Sequence, residues 1–164
     1  MIATIVSIVL LAACIGMIWY IMQGPFFVPT LALTVAQMVE LSGIKPGQKF
    51  ADLGSGDGRV VVAFARAGAQ ATGFEINPLL VWYSRWKIRR FKLSNAQILT
   101  SNFWHKNLGE YDCLTVFGID HIMPSLGKKL VAELGPQAIV ISNAFRIPGL
   151  TQIGQKGSLI IYKK

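Results

Sequence analysis

The chain has 164 residues, enough for one domain with a real core and too few for two. It carries 16 Lys and Arg against 8 Asp and Glu, and the first charged side chain is Glu40, so the whole net charge of +8 lies beyond that point. Cys14 and Cys113 have no partner pattern, and neither a disulfide framework nor metal-ligand spacing is present, which fits a reducing compartment.

A basic domain suits an acidic partner, whether nucleic acid, an anionic membrane surface or an acidic protein. It equally suits the cytoplasmic face of a membrane, for topological reasons. Residues 2–22 contain no charge and are rich in Ile, Val, Leu, Ala and Met. As a helix they would extend about 30 Å, the thickness of a bilayer core. Trp19 and Tyr20 stand at the end of the run, where aromatic rings favour the interface. The run lacks the basic n-region and exceeds the core length of a cleaved signal peptide, and it continues past the Leu11-Ala12-Ala13-Cys14 box. It predicts an uncleaved single anchor over 1–22, with the basic domain on the cytoplasmic side.

Gln23-Gly24-Pro25 ends that helix, and Phe26 to Thr30 reads as an extended linker. Thr30 is the expected cap of a helix with Leu31, Val35, Met38 and Val39 at helical spacing, ending at Gly43. The division is therefore 1–22 anchor, 23–43 linker and pre-domain helix, and 44–164 domain. A strand over 49–53 leads into Gly54-Ser55-Gly56-Asp57-Gly58, and a helix follows over 59–66. Strand, glycine turn and helix in that order build a nucleotide site in an open α/β sheet. A second strand over 71–75 ends in Glu75, and Asn77-Pro78 opens a helix reaching about residue 91.

Strands over 96–100, 111–117 and 138–142 continue the alternation, with a helix marked by Leu126, Leu130 and Leu134 before the last of them. Residues 150–153 and 158–162 flank Gly154-Gln155-Lys156-Gly157 as a terminal hairpin. The fold class is α/β: a doubly wound, mostly parallel seven-stranded sheet with an antiparallel hairpin at the end. In the helix after Asn77, Trp82, Tyr83 and Trp86 interleave with Arg85, Lys87, Arg89, Arg90 and Lys92. Three readings stand side by side: aromatics on the core and cations in water, contact with anionic lipid, or a nucleic-acid surface.

The glycines alternate, and Arg59 occupies the position where a dinucleotide fingerprint needs its third glycine. No Gly-Lys-Ser/Thr phosphate loop is present. Glu75 at a strand tip suits ribose hydroxyls and would repel a phosphate. Here the chain resembles class I S-adenosylmethionine-dependent methyltransferases: Asp52-Leu53-Gly54-Ser55-Gly56-Asp57-Gly58 is similar to their first motif, and Glu75 to their ribose-binding acid. It further resembles the small membrane-anchored protein-lysine methyltransferases that include the mitochondrial enzymes acting on the adenine nucleotide translocase and the ATP synthase c-subunit. Val28-Pro29-Thr30, residues 52–59, Gly73-Phe74-Glu75-Ile76-Asn77-Pro78 and Val116-Phe117-Gly118 carry that likeness.

The resemblance implies S-adenosylmethionine as cofactor, with Asp52, Gly54 and Gly56 at its methionine part, Glu75 at the ribose, and Ser55 and Asn77 also among the cofactor-binding residues. It implies Asn102 and Phe103 at the adenine, and Thr30 over the mouth. The carboxyl ends of the fourth and fifth strands would receive the methyl acceptor, a lysine of a protein in or at a membrane. Asp120 is then a candidate to orient the ammonium and His121 to take its proton; the other reading makes Asp120 a helix cap. The family's proline at 120 and its aromatic-proline run at 145–148 are both altered here. Nucleic acid is not expected as substrate, and the oligomeric state stays open. A small-molecule or lipid methyltransferase and a non-catalytic cofactor-binding module are the alternatives. The implied location is a single-pass membrane protein facing the cytoplasm, or a mitochondrial membrane in a eukaryote.

Overall fold

The computed structural model describes residue 4, residues 6–12, residue 16 and residues 28–164. Most of the expected anchor, with Cys14, Trp19 and Tyr20, and the Gln23-Gly24-Pro25 break lie outside the described residues. No helix among the described residues is long and apolar enough to cross a membrane.

The domain is a seven-stranded sheet: β1 (Lys49–Leu53), β2 (Gln70–Glu75), β3 (Ala96–Thr100), β4 (Cys113–Val116), β5 (Ile139–Asn143), β6 (Thr151–Lys156) and β7 (Leu159–Lys163). Its order is β3-β2-β1-β4-β5-β7-β6, parallel from β3 to β5 and antiparallel at β7 and β6. The chain reverses its winding direction between β1 and β4, which places a crevice beyond the carboxyl ends of those strands. The central strands are buried on both faces and accordingly read as apolar runs. The hairpin turns at Gly157-Ser158 rather than over 154–157, because Gly154 sits inside β6 at a register irregularity instead of ending it.

Helices α1 (Ala32–Ser42), α2 (Arg59–Arg66) and α3 (Pro78–Arg90) cover one face of the sheet, through Val35, Met38, Val61, Phe64, Val81 and Ile88. Phe50 and Phe64 stack there with centroids 3.7 Å apart. Helix α4 (Met123–Glu133) covers the other face with Met123, Leu126 and Leu130. Gly43 ends α1 in the left-handed region at φ 58°, as the sequence predicts. Thr30 does not cap that helix. Leu31 holds the cap position, and no side chain caps it. The fourth strand is shorter than 111–117: residue 112 precedes it and Phe117 has already left it.

The aromatics of α3 do not face the core. Val81, Ser84 and Ile88 are its buried residues, and Trp82, Tyr83 and Trp86 point outward. Ser84 explains the phase: it is wholly buried and its hydroxyl lies 2.9 Å from the Gly56 carbonyl and 2.7 Å from that of Leu80. A bulky side chain there would push α3 off the glycine turn.

Close backbone approach also fixes α4. A Cβ on Gly127 would lie 2.0 Å from the Pro148 carbonyl oxygen, whereas one on Gly135 would meet nothing within 4 Å. Gly127→Ala should therefore lower stability in urea unfolding by about 1–3 kcal/mol despite its better helix propensity. Gly135→Ala should stay within about 0.5 kcal/mol of the parent.

Candidate functional site

Strand β1 delivers Asp52 to the crevice, and the chain then turns through three glycines of positive φ: Gly54 at 83°, Gly56 at 52° and Gly58 at 73°. Each would strain an L side chain, so the alternating glycines are a backbone requirement of this turn. The turn lies flat on β2, where the Gly54 and Ser55 N–H groups both donate to the Phe74 carbonyl at 3.0 and 2.9 Å. Gly73 permits this, since a Cβ on it would stand 2.6 Å from Ser55 Oγ. The volume above Gly54 is open, with nothing within 4 Å of where its Cβ would be.

Three carboxylates are buried around this turn, and each meets a different environment. Glu75 is the best solvated: Oε2 accepts from the Gly56 N–H, and Oε1 from the N–H groups of Ile76 and Asn77, all at 2.8 Å. By count, three of its roughly four acceptor positions are filled, leaving Oε2 able to take a further donor. Burial would raise Asp57, but hydrogen bonds from Arg59 and Lys87 outweigh it and hold that carboxyl below the usual range. Arg59 Nε lies 2.9 Å from Asp57 Oδ1, and Lys87 Nζ 2.9 Å from Oδ2. Asp52 has least. Its Oδ1 accepts from the Thr115 hydroxyl at 2.7 Å, and burial, with Glu75 and Asp57 nearby, pushes its pKa up to about 7.

The turn thus does not offer its N–H groups to an anion, as a phosphate loop does. The Gly56 N–H is taken by Glu75, and that of Arg59 points at Asp57 Oδ1 at 3.3 Å. Asp57 is neutralised by Arg59 and Lys87, whereas Asp52 and Glu75 have no basic partner among the described residues, and these two acids disfavour phosphate and favour a cationic, hydroxyl-bearing ligand.

The remaining predicted residues fall as follows. Asn77 Oδ1 caps α3 by accepting from the N–H groups of Leu79 and Leu80, so its side-chain oxygen has a structural task. Ser55 Oγ is buried beneath the turn with no hydrogen-bond partner. Asn102 is exposed, and its Oδ1 caps the short 3₁₀ turn Phe103–His105 through the Trp104 N–H. Phe103 and Trp104 are half-buried side by side, their ring centroids 5.1 Å apart. Thr30 reaches the turn by its backbone: its carbonyl accepts from Arg59 Nη1 at 2.8 Å.

Asp120 and His121 are both exposed in the 3₁₀ turn Asp120–Ile122. Asp120 caps nothing; Ile119 holds the cap position. Phe117, just past β4, faces Phe145, just past β5, with centroids 6.1 Å apart. Between the end of β5 and Phe145, Ala144 adopts φ 71°, a left-handed conformation uncommon outside glycine. Sequence reasoning does not assign Asp57, Lys87 or Ser84 a task at the site. The signal for Ser84 is a small polar residue among bulky ones in α3, and that for Asp57 an acid inside a glycine turn, two residues before an arginine.

Among proteins of known description, the family described as the ANTKMT methyltransferase domain matches residues 52–153. The ATP synthase c-subunit lysine N-methyltransferase of Rattus norvegicus is 40% identical over 126 residues, 76% of this chain and 58% of that protein. The chain spans little more than half the length of its mammalian relatives. A protein-lysine N-methyltransferase of Saccharolobus islandicus is 30% identical over 133 residues, 79% of this chain and 82% of that protein. The crystal structure of an RNA methyltransferase from Salinibacter ruber in complex with S-adenosyl-L-homocysteine superimposes with a TM-score of 0.76 at 26% identity, covering 82% of this chain and 91% of the other. The motif that carries the glycine turn and its acids opens the matched region, and the chain belongs to the family of ANTKMT methyltransferase domains.

Proposed function

We propose that the chain is an S-adenosylmethionine-dependent methyltransferase that modifies a lysine side chain of a protein in or at a membrane. The observation that carries this reading is the pair of buried acids without basic partners, Asp52 and Glu75, beside an open glycine turn, which suits a ligand bearing positive charge and a ribose but no phosphate. The names of the relatives point to lysine as acceptor. The uncharged run 2–22 supports a membrane tether, which would raise the local concentration of acceptors in the same membrane.

The residues present fit that cofactor. Asp52, Gly54, Ser55 and Gly56 would line its methionine part, Asp52 supplying the charge for its ammonium. Glu75 Oε2 would accept from the ribose, with Asn77 holding the start of α3 against it. Asn102 and Phe103 would meet the adenine, and Thr30 would close over the mouth. When bound, the cofactor supplies a methyl group on a positively charged sulfur.

The chain's own task is the acceptor. A lysine amine has a pKa of about 10.4, so presenting it neutral near pH 7 costs roughly 4–5 kcal/mol. Phe117 and Phe145 would flank the amine with apolar surface, which favours the neutral form. Asp120 would orient the incoming ammonium, and a ring nitrogen of His121 would accept its proton. Positioning then dominates the rate.

Incubating membranes with radiolabelled cofactor should label a protein band, and Glu75→Ala should abolish the label. Label confined to RNA or to the organic phase would sink the lysine reading.

Asp52 makes the reading sensitive to pH. Calorimetric affinity for the cofactor should rise about tenfold per pH unit up to about pH 7 and level off above. Asp52→Asn should bind at least about tenfold more weakly at pH 8 and show no such rise. Unfolding should move the opposite way. The folded chain keeps this proton to about pH 7 and the unfolded chain loses it near 3.8. This contribution is therefore full below pH 3.8 and falls by on the order of 4 kcal/mol as pH rises to 7. Asp52→Asn should accordingly be the more stable form at pH 8.

Arg59 joins Asp57 to the Thr30 carbonyl through a planar fork that lysine cannot reproduce. Arg59→Lys should raise amide exchange over residues 28–33 and weaken cofactor binding by about three- to tenfold. Unchanged exchange there would remove Thr30 from the mouth.

A further inference from the structure

Helix α3 buries a narrow strip of modest side chains and presents a broad stripe to the outside. Leu79 is 74% exposed, Trp82 67%, Tyr83 42% and Trp86 49%. These positions follow i, i+3, i+4, i+7, so they form one face, and the same face continues into exposed Arg89 and Arg90 in the last turn. No acidic residue occurs in the helix. Tyr83 and Trp86 stack with centroids 5.8 Å apart, so the rings form one apolar surface.

Tyr83 also lines an open groove of about 480 Å³ that has Ala32, Val35 and Ala36 of α1 on one wall and the charged Asp57, Arg59 and Lys87 on its lining. Leu31 and Leu33, at the start of α1, are 73% and 72% exposed. A row of exposed rings of this size on one helix face is uncommon on a monomer in water.

We propose that this stripe lies in the headgroup region of an anionic bilayer, as an interfacial helix in addition to the N-terminal tether. Tryptophan and tyrosine rings favour that depth, and arginines beside them meet lipid phosphates, at about 1 kcal/mol for each basic residue near the surface. Arg85 and Lys87, which alternate with the rings in sequence, are drawn aside to the Ile98 carbonyl and to Asp57, so on this face the cations are Arg89 and Arg90, beyond the rings. A nucleic-acid strand would need them interleaved along its phosphates. A second copy would bring one cationic face towards another in a chain of net charge +8. The stripe begins two residues after Asn77, so contact with lipid would bring the cleft beside Glu75 close to the membrane surface.

The test uses the full chain reconstituted in phosphatidylcholine vesicles with or without phosphatidylglycerol, brominated on the acyl chains. Versions retaining one tryptophan, at 82, 86 or 104, with phenylalanine at the other three, report depth separately. Emission from Trp82 and Trp86 should fall by roughly twofold or more in the anionic vesicles, and that from Trp104 should not. Arg89→Glu with Arg90→Glu should remove most of the quenching. Resistance to alkaline carbonate reads the N-terminal tether independently. A chain that resists carbonate but leaves Trp82 and Trp86 unquenched overturns the proposal and leaves the tether standing. Quenching in a chain that carbonate extracts supports the α3 contact and removes the tether. Trp82 shielded from acrylamide without vesicles assigns the stripe to a second copy and overturns the proposal.

Discussion

The structure depends on burying three carboxylates around one backbone turn without leaving all of them satisfied. Glu75 receives three N–H groups and Asp57 two cations, so both have partners for their oxygens. Asp52 has one hydroxyl and sits in the central strand between two parallel neighbours. The desolvation penalty therefore concentrates on one residue, and that residue gains most from a cation placed beside it. A turn that used its N–H groups to hold phosphate could not do this, because those of Gly54 and Ser55 are here given to the Phe74 carbonyl and those of Gly56 and Arg59 are directed at Glu75 and Asp57. Ligand charge is thus selected by the way the protein solvates itself.

That solvation demands that the turn lie flat, and the rest of one helical layer follows from it. Gly73 gives room to Ser55, and a Cβ on Gly58 would stand 2.8 Å from Ser84 Cβ. Ser84 in turn lies within hydrogen-bond reach of the Gly56 carbonyl, and Lys87 Nζ reaches both the carbonyl and the carboxylate of Asp57. Helix α3 is held so close that only Val81, Ser84 and Ile88 fit beneath it. Its large rings have nowhere to go but outward. The exposed aromatic stripe is therefore a geometric consequence of the cleft, and a surface of that kind needs something other than water against it.

Which parts are legible follows from which forces act locally. Strands β1 and β3 and helix α2 lie at their expected bounds, because apolar runs and glycine punctuation are written residue by residue. Asn77-Pro78 marks the start of α3 for the same reason. The facing of α3 is hidden in the sequence because aromatics suit a core by residue type, whereas the phase is set by Ser84, a contact across 28 positions with Gly56. Thr30 has the look of a cap from its place before an apolar run. Its carbonyl is instead drawn to Arg59, a long-range bond no local pattern encodes. Asp52 and Glu75 are visible as motif positions, but the unequal solvation that separates their chemistry exists only once β2 lies beside β1.

The side of the crevice proposed for the acceptor is built on the opposite plan. Nothing in the sequence around Ala144 signals a left-handed residue, and that conformation costs about 1–2 kcal/mol for an L side chain. It persists because the hairpin holds both flanks. The Ala144 N–H donates to the Ser158 carbonyl, and the Ser158 hydroxyl donates to Asn143 Oδ1. Ser142 Oγ donates to the Phe145 carbonyl, and Tyr162 Oη accepts from the Ile147 N–H. The antiparallel β6–β7 pair is thus more than an edge: it sets the strained bend that turns Phe145 towards Phe117. The glycine-turn side proposed for the cofactor takes its shape within one short segment, while the side proposed for the acceptor takes much of its shape from the distant hairpin. Substitutions in the hairpin should consequently alter which acceptor fits while leaving the acid-lined cleft intact, which is how one scaffold can keep a single cofactor chemistry and vary what receives it.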